Sequence, residues 1–163
     1  MELLIWLEGG TVATWVRESL SLWAFPTLIA LHALGMAGSV GLSMAICLLI
    51  LRSVDTFPIS RVESFFNFIW LALGVNFVSG GLLLVANATE LLILPVFYIK
   101  LFFVLCSAWI LLRLNNIVLL SATVAEESGC RSRLRPLALT LLGCWIASVA
   151  AGRLTAYPSL FLG

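Results

Sequence analysis

The chain has 163 residues, of which 62% are apolar and only 10% charged, against roughly 25% charged in an average soluble domain. Nine Lys and Arg face eight Asp and Glu, a formal net charge of +1, and mean hydropathy is +1.14. So little polar surface leaves almost no room for a soluble enzyme or a nucleic-acid binder, and it excludes a disordered chain. What remains is an all-α integral membrane protein, one domain spanning 1–163, whose first partner is the lipid bilayer.

The first segment, about 2–20, is apolar but broken by Glu8-Gly9-Gly10. It has no basic start and no small-residue cleavage site before a polar stretch, so it is expected to stay in the protein. Thr11 is placed to cap a helix starting at Val12. Val12, Trp15, Val16 and Ser19 then share one face, opposite Arg17 and Glu18. That pattern predicts an amphipathic helix in the membrane interface, with Trp6, Trp15 and Trp23 at headgroup depth. The alternative is a plain extension of the first span.

A bilayer is crossed by about 20 apolar residues. Four runs qualify, at about 22–51, 64–86, 92–112 and 136–157, predicting a four-transmembrane-helix bundle. The first is longer than needed and should tilt or project. The third should continue outward through Asn115, Asn116 and Thr123, since nothing breaks it before Gly129. No internal repeat is visible. Cys47, Cys106, Cys130 and Cys144 form no CxxC or CxxxC pair and are expected as free thiols, with Cys130 in a polar loop.

The connections set the orientation. Arg52 and Arg61 follow the first span. Arg131, Arg133 and Arg135 follow the third, with Arg113 at its membrane end, whereas 87–91 carries no Lys or Arg. Arginine held on the cytoplasmic side places both termini in the periplasm, for a protein of the bacterial inner membrane. Arg17 and Arg153 run against this. The loop arginines read as anchors for topology or lipid.

Polar groups within hydrocarbon are costly, about 2.5 to 3.5 kcal/mol for a central charge, so they face protein or a cavity. His32, Asn76, Ser79, Lys100 and Arg153 all fall in the outer half of their spans, roughly 6 to 15 Å from its end at 1.5 Å per residue. The inner halves are almost wholly aliphatic. Polar groups from separate helices in one leaflet point to a shared pocket. The faces agree. His32, Gly35, Met36, Ser39 and Ser43 follow helical steps, and the small groups among them let a second helix approach. Ala72, Asn76 and Gly80 form a similar stripe, with Ser79 adjacent, as do Gly143, Ala147 and Ala151. Lys100 shares a face with Phe97, Val104 and Ser107.

His32 is the single histidine. It suits a ligand to haem iron or copper, or a hydrogen-bond partner for a quinone; the plainer reading is a buried histidine bonded to a neighbouring helix. With no second histidine, bis-histidine haem within one chain is excluded, leaving a five-coordinate haem or one with Lys100 or a methionine opposite. Met36, with Met44 and Cys47 further along, offers soft copper ligands or ordinary core filling. Lys100 and Arg153 either snorkel to headgroups or hold an anion such as a haem propionate, a substrate carboxylate or Glu90. Asn76 and Ser79 also read as interhelical hydrogen bonds. No Ser-His-Asp set, paired carboxylates, HExxH or phosphate loop is present, so the reading leans away from an enzyme.

Trp15-Val16-Arg17-Glu18-Ser19, Trp23-Ala24-Phe25-Pro26 and Leu31-His32-Ala33-Leu34-Gly35 with Gly41 resemble a family of uncharacterised bacterial four-span inner-membrane proteins. Gly80-Gly81-Leu82-Leu83, Phe97-Tyr98-Ile99-Lys100-Leu101 and the closing Ala151-Gly152-Arg153-Leu154-Thr155-Ala156-Tyr157 are similar to it too. That family more loosely resembles the copper-resistance D type and the haem-associated membrane protoporphyrinogen oxidase type. The resemblance implies that His32, Lys100 and Arg153 are the positions to watch; it implies no activity. The chain departs from the pattern at Cys47-Leu48-Leu49, where the family carries Asp-Leu-Arg.

The combined expectation is a small membrane subunit that anchors a larger assembly of membrane or periplasmic proteins. Its pocket would hold haem b or a quinone headgroup at His32, with Lys100, Arg153, Asn76 and Ser79 around it, for electron transfer or docking. Copper handling by His32 and Met36 is the competing class. A purely structural bundle is the third.

Overall fold

Backbone N–H and C=O groups in hydrocarbon find no water, so long apolar runs satisfy them internally as helices. The computed structural model describes residues 8–19, 21, 23–52, 63–124, 127–155 and 157, with the backbone alone at 12, 63, 121–124 and 127–132. Among these residues there is no strand, and six helices follow in order. They are α1 (Thr11–Glu18), α2 (Phe25–Leu51), α3 (Glu63–Ala86), α4 (Ala88–Ile93), α5 (Pro95–Val124) and α6 (Glu127–Leu154). Four stretches are long and apolar enough to cross a membrane: Phe25–Leu51, Ser64–Ala86, Pro95–Leu120 and Arg133–Leu154. The chain is therefore a multi-pass membrane protein with a bundle of spanning helices. Its outward faces fit lipid, since Leu34, Phe68, Leu71, Phe77 and Ile146 are all exposed. In water a surface of that kind would drive association.

Prolines set the helix starts. Pro26 occupies the first turn of α2, where its missing N–H costs nothing and its fixed φ suits a helix. The first span accordingly begins at Phe25 rather than 22. Leu94, before Pro95, is extended (φ −82°, ψ 119°), as a pre-proline residue prefers. The third span therefore starts at Pro95, not 92, and Leu92 belongs to α4. The connection expected at 87–91 as a plain loop is mostly this short helix. α5 does continue to Val124, past Asn115 and Asn116, as the absence of breakers implied. The following segment is not a polar loop, however: α6 begins at Glu127 and carries Gly129 and Cys130 on helical backbone.

The N-terminal helix also differs in detail. Thr11 is its first residue and makes no cap; Gly10 is the cap residue, with no side-chain hydrogen bond. The Thr14 hydroxyl donates back to the Gly10 carbonyl at 3.0 Å. Ala13 and Val16 are the buried positions, while Trp15 is exposed. Val16 packs on Leu28 and Ala86, with Leu82 and Leu83 alongside. Trp15 and Trp23 therefore stand free of the bundle, as residues at a headgroup boundary do. Trp6 lies outside the described residues.

α2 pairs with α3, α5 with α6, and α2 against α6 joins the two pairs. The apolar core lies at the end of the bundle away from α1. Cys47 and Ile50 of α2, Ile69 of α3, Leu114 of α5 and Leu141 and Trp145 of α6 meet there. The small stripe expected on α6 is only partly used. Ala151 is buried, but Gly143 is exposed and faces open space. Leu134, Ala138, Leu141 and Trp145 form the packed face instead. Cys47, Cys106 and Cys144 are free thiols.

A polar clasp ties the N-terminal segment to the connection between α3 and α5. Glu8 Oε1 accepts hydrogen bonds from the Thr89 backbone N–H (2.7 Å) and the Thr89 hydroxyl (2.6 Å). The Thr89 side chain, then its N–H, holds the Glu8 carboxyl below its ordinary value. A depressed carboxyl contributes its clasp fully above the ordinary carboxylate range and loses it as pH falls through the folded value. Protection factors of the α1 amides, normalised to intrinsic exchange, should therefore be high near neutral pH and fall once the pH drops below the ordinary carboxylate range. Glu8→Ala should show low protection at both pH values. Equal protection in the two proteins at neutral pH would show that the clasp does not hold α1.

Candidate functional site

The site begins with how closely two backbones approach. A Cβ on Gly35 would stand 2.7 Å from Asn76 N and 2.9 Å from Asn76 Cα. One on Gly38 would stand 2.8 Å from Ala72 Cβ, and one on Gly80 would stand 2.9 Å from His32 Cε1. The pairs His32–Gly80, Gly35–Asn76 and Gly38–Ala72 rise along α2 as they fall along α3, which sets an antiparallel register. The two glycine stripes seen in the sequence thus meet, and the contact is backbone to backbone.

That approach brings the His32 ring onto the α3 backbone. His32 Nδ1 lies 3.1 Å from the Asn76 carbonyl oxygen and 3.2 Å from Ser79 Oγ. The Ser79 hydroxyl sits 2.6 Å from the Val75 carbonyl, to which it donates, so its oxygen presents lone pairs to the ring. Nδ1 faces acceptors on both sides and therefore carries the proton. In a neutral imidazole Nε2 then bears the lone pair. Nε2 has no hydrogen-bond partner among the described residues, and it is turned away from Gly80, 4.0 Å from the position a Cβ would take there. The ring is half-buried, seven residues into α2, or roughly 10 Å from its start.

Lys100 reaches the same end of the bundle from the other pair of helices. Its stem lies over Gly152 of α6; a Cβ there would stand 3.4 Å from Lys100 Cδ and Cε and 3.6 Å from Nζ. No carboxylate pairs with Lys100 among the described residues. The pairing considered with Glu90 is not formed, and Glu90 is exposed. The aromatic neighbours of Lys100 divide: Tyr98 and Phe102 are exposed, and Phe97 and Phe103 are half-buried.

The structure thus brings together His32, Asn76 and Ser79, with Lys100 toward the same end of the bundle. Asn76 and Ser79 are both buried. Arg153 stays apart; it is exposed at the end of α6, and no described contact draws it in. Met36 is half-buried one turn after His32, and its carbonyl lies 3.4 Å from the Ser39 hydroxyl. Among the described residues no group of three or more His, Cys, Asp or Glu could hold a metal ion.

Two contributions were not anticipated. Gly152 was noted only as part of a motif, yet it makes the seat for the Lys100 stem. Trp145 and Ser107 are fully buried, and neither Trp145 Nε1 nor Ser107 Oγ has a hydrogen-bond partner. Asn76 Oδ1 is likewise unpartnered. Spacing held a signal for the pair, since Ser107 lies seven residues after Lys100 and Trp145 seven before Gly152. Both stand about 10 Å deeper along neighbouring helices than the Lys100–Gly152 contact.

Compared with family models, curated proteins and solved structures, the chain matches none.

The close approach can be tested by adding a single methyl group. Gly35→Ala forces a Cβ into the Asn76 backbone, and overpacking of this kind costs about 1–3 kcal/mol. Gly41→Ala and Gly74→Ala meet open space and should leave stability unchanged to within about 1 kcal/mol. Unfolding in mixed detergent micelles would check this. Equal effects at all three positions would show that α2 and α3 do not pack through Gly35.

Proposed function

We propose that this chain is a small membrane subunit that anchors a larger assembly and binds haem b or a quinone headgroup at His32. The observation that carries the reading is the state of the His32 ring. Its Nδ1 is held by the Asn76 carbonyl at 3.1 Å, while Nε2 has no partner among the described residues. A histidine that binds a metal or cofactor usually donates its other nitrogen to a carbonyl or carboxylate, which fixes the ring and the tautomer. The donor set fits both candidate groups. His32 Nε2 would hold the iron of a haem and Lys100 would pair with an anionic group on it, the haem supplying one-electron chemistry when bound. A quinone-type headgroup would exchange hydrogen bonds with the same two side chains, donating to Nε2 and accepting from Lys100. Asn76 and Ser79 act as the second layer, orienting the ring. Arg153 belongs to the entrance at most, since it is exposed.

Few of the described residues lie outside the helices, which fits a subunit whose partners carry any chemistry. Its resemblance to the four-span inner-membrane family fits a bacterial inner membrane. The arginine distribution fits a periplasmic site with both termini on that side. Arg113 supports this, stacking on Trp109 at 5.0 Å at the far end of α5 from Lys100.

The experiment is a visible spectrum of the protein purified in mild detergent from its native source, with quinone extraction and a metal assay. The expected result is a Soret band that shifts on dithionite, or a co-purifying quinone, either of them reduced at least about tenfold by His32→Ala, the loss of one strong ligand contact. Full cofactor content after His32→Ala would remove His32 from the site. A flat spectrum with bound copper that depends on His32 and Met36 would move the protein to copper handling. No ligand, with unchanged assembly, would leave a structural bundle.

Orientation has its own test. Cys130 should react with a membrane-impermeant thiol reagent only from the cytoplasmic side. Labelling from the periplasm would invert the topology.

A further inference from the structure

The hydrogen-bond pattern around His32 also bears on which ligand head group the ring can accept. Two acceptors, the Asn76 carbonyl and the Ser79 oxygen, face Nδ1 at 3.1 and 3.2 Å. The Ser79 proton is not available to the ring, because that hydroxyl donates to the Val75 carbonyl at 2.6 Å. Asn76 contributes a backbone carbonyl, which has no proton to give. The only arrangement in which every close pair matches a donor with an acceptor puts the imidazole proton on Nδ1. Tautomer exchange would set a bare Nδ1 against the lone pair of the Asn76 carbonyl in a partly buried place, where unmet polar groups are costly.

The consequence falls on Nε2. In the neutral ring it can accept a hydrogen bond or ligate a Lewis acid, but it cannot donate. Turning the ring over would put Cδ2 in place of Nδ1 and lose the contacts with the Asn76 carbonyl and Ser79 Oγ, so those contacts hold the orientation. Lys100, toward the same end of the bundle on α5, has the opposite character, with three donors and no acceptor. A ligand spanning both therefore needs a donor at one point and an acceptor at the other. An oxidised quinone has acceptors alone. It satisfies Lys100 and meets Nε2 lone pair to lone pair. A hydroquinone offers a hydroxyl proton to Nε2 and an oxygen to Lys100.

We infer that the His32 site selects a hydroxyl-donating head group, binding the reduced hydroquinone in preference to its quinone. This rests on the reading of His32 as a ligand site and concerns binding alone; no electron-transfer step is required of this chain. The backbone of α3, through the Asn76 carbonyl and Gly80, is the specificity determinant. Ser79 is a positioning residue that acts through the ring.

One preparation of the whole chain tests it, purified with a tag free of histidine so that His32 remains the single histidine. Nitrogen NMR of isotope-labelled histidine reads the tautomer directly, and the expected spectrum has a protonated Nδ1 and a bare Nε2. A short-chain hydroquinone and its quinone are then titrated separately under anaerobic conditions. The hydroquinone should bind at least about tenfold more tightly, the size of one mismatched buried hydrogen bond. It should shift the Nε2 resonance, and His32→Ala should abolish the preference. A proton on Nε2, equal binding of the two forms, or tighter binding of the quinone would overturn the inference and leave the quinone site standing. Failure of both forms to bind, with a haem spectrum present, would overturn it while leaving the haem reading intact. Failure of both with no pigment would overturn the inference and the His32 ligand site together. If His32→Ala fails to fold, the tautomer and the two titrations on the native chain still decide the matter.

Discussion

Two helix backbones touch only where no Cβ stands between them, and the geometry of this protein follows from one such contact. Gly35 and Gly38 on α2 and Gly80 on α3 remove the side chains that would hold the helices apart. The resulting approach is close enough for a side chain on one helix to bond the main chain of the other. A carbonyl in mid-helix already accepts one hydrogen bond from its own helix and keeps a second lone pair free. At Asn76 that lone pair takes the His32 proton. The orientation of the imidazole is thus set by α3 backbone, which is more rigid than any side-chain partner would be.

The bundle is built unequally along its length. At the end away from α1, aliphatic and aromatic side chains from all four long helices interlock around Cys47, Ile69, Leu114 and Trp145. At the other end the helices are held by small residues and hydrogen bonds. Side chains such as Ser39 return their hydroxyls to their own helix, here to the Gly35 carbonyl at 2.8 Å. In lipid, packing and hydrogen bonds drive helix association, since hydrocarbon tails are as apolar as leucine. A dry apolar end can therefore hold the bundle together while the other end accommodates polar groups. The short N-terminal helix sits at that polar end, on Leu28 and Ala86, with the Glu8–Thr89 clasp outside it.

The imidazole and the lysine arrive from different helix pairs. His32 belongs to the α2–α3 pair and Lys100 to α5–α6, which seats it over Gly152. The α2–α6 contact is what brings the two pairs together. Buried polar atoms without partners, at Asn76, Ser107 and Trp145, are rare in folded proteins because each costs about 1–3 kcal/mol. Their presence on three helices of one small bundle marks its interior as more polar than its hydropathy implies.

Hydropathy was enough to specify four spanning helices, because insertion into lipid is decided by local apolar length. The step pattern of Gly35, Ser39, Asn76 and Gly80 likewise marked the packing faces, since helical periodicity is local. The neighbours of each face were not legible. Arg153 read with Lys100 as a cation for the same pocket, yet it is exposed while Lys100 lies on Gly152. Gly143 looked like a packing residue and faces open space. Trp15 had the spacing of the buried face, but Ala13 and Val16 occupy it. Each of these depends on the rotation of one helix about its axis relative to another, a property of contacts between segments distant in the chain. The same holds for the His32 tautomer: composition supplies an imidazole, but only the meeting of α2 with the Asn76 carbonyl assigns its proton.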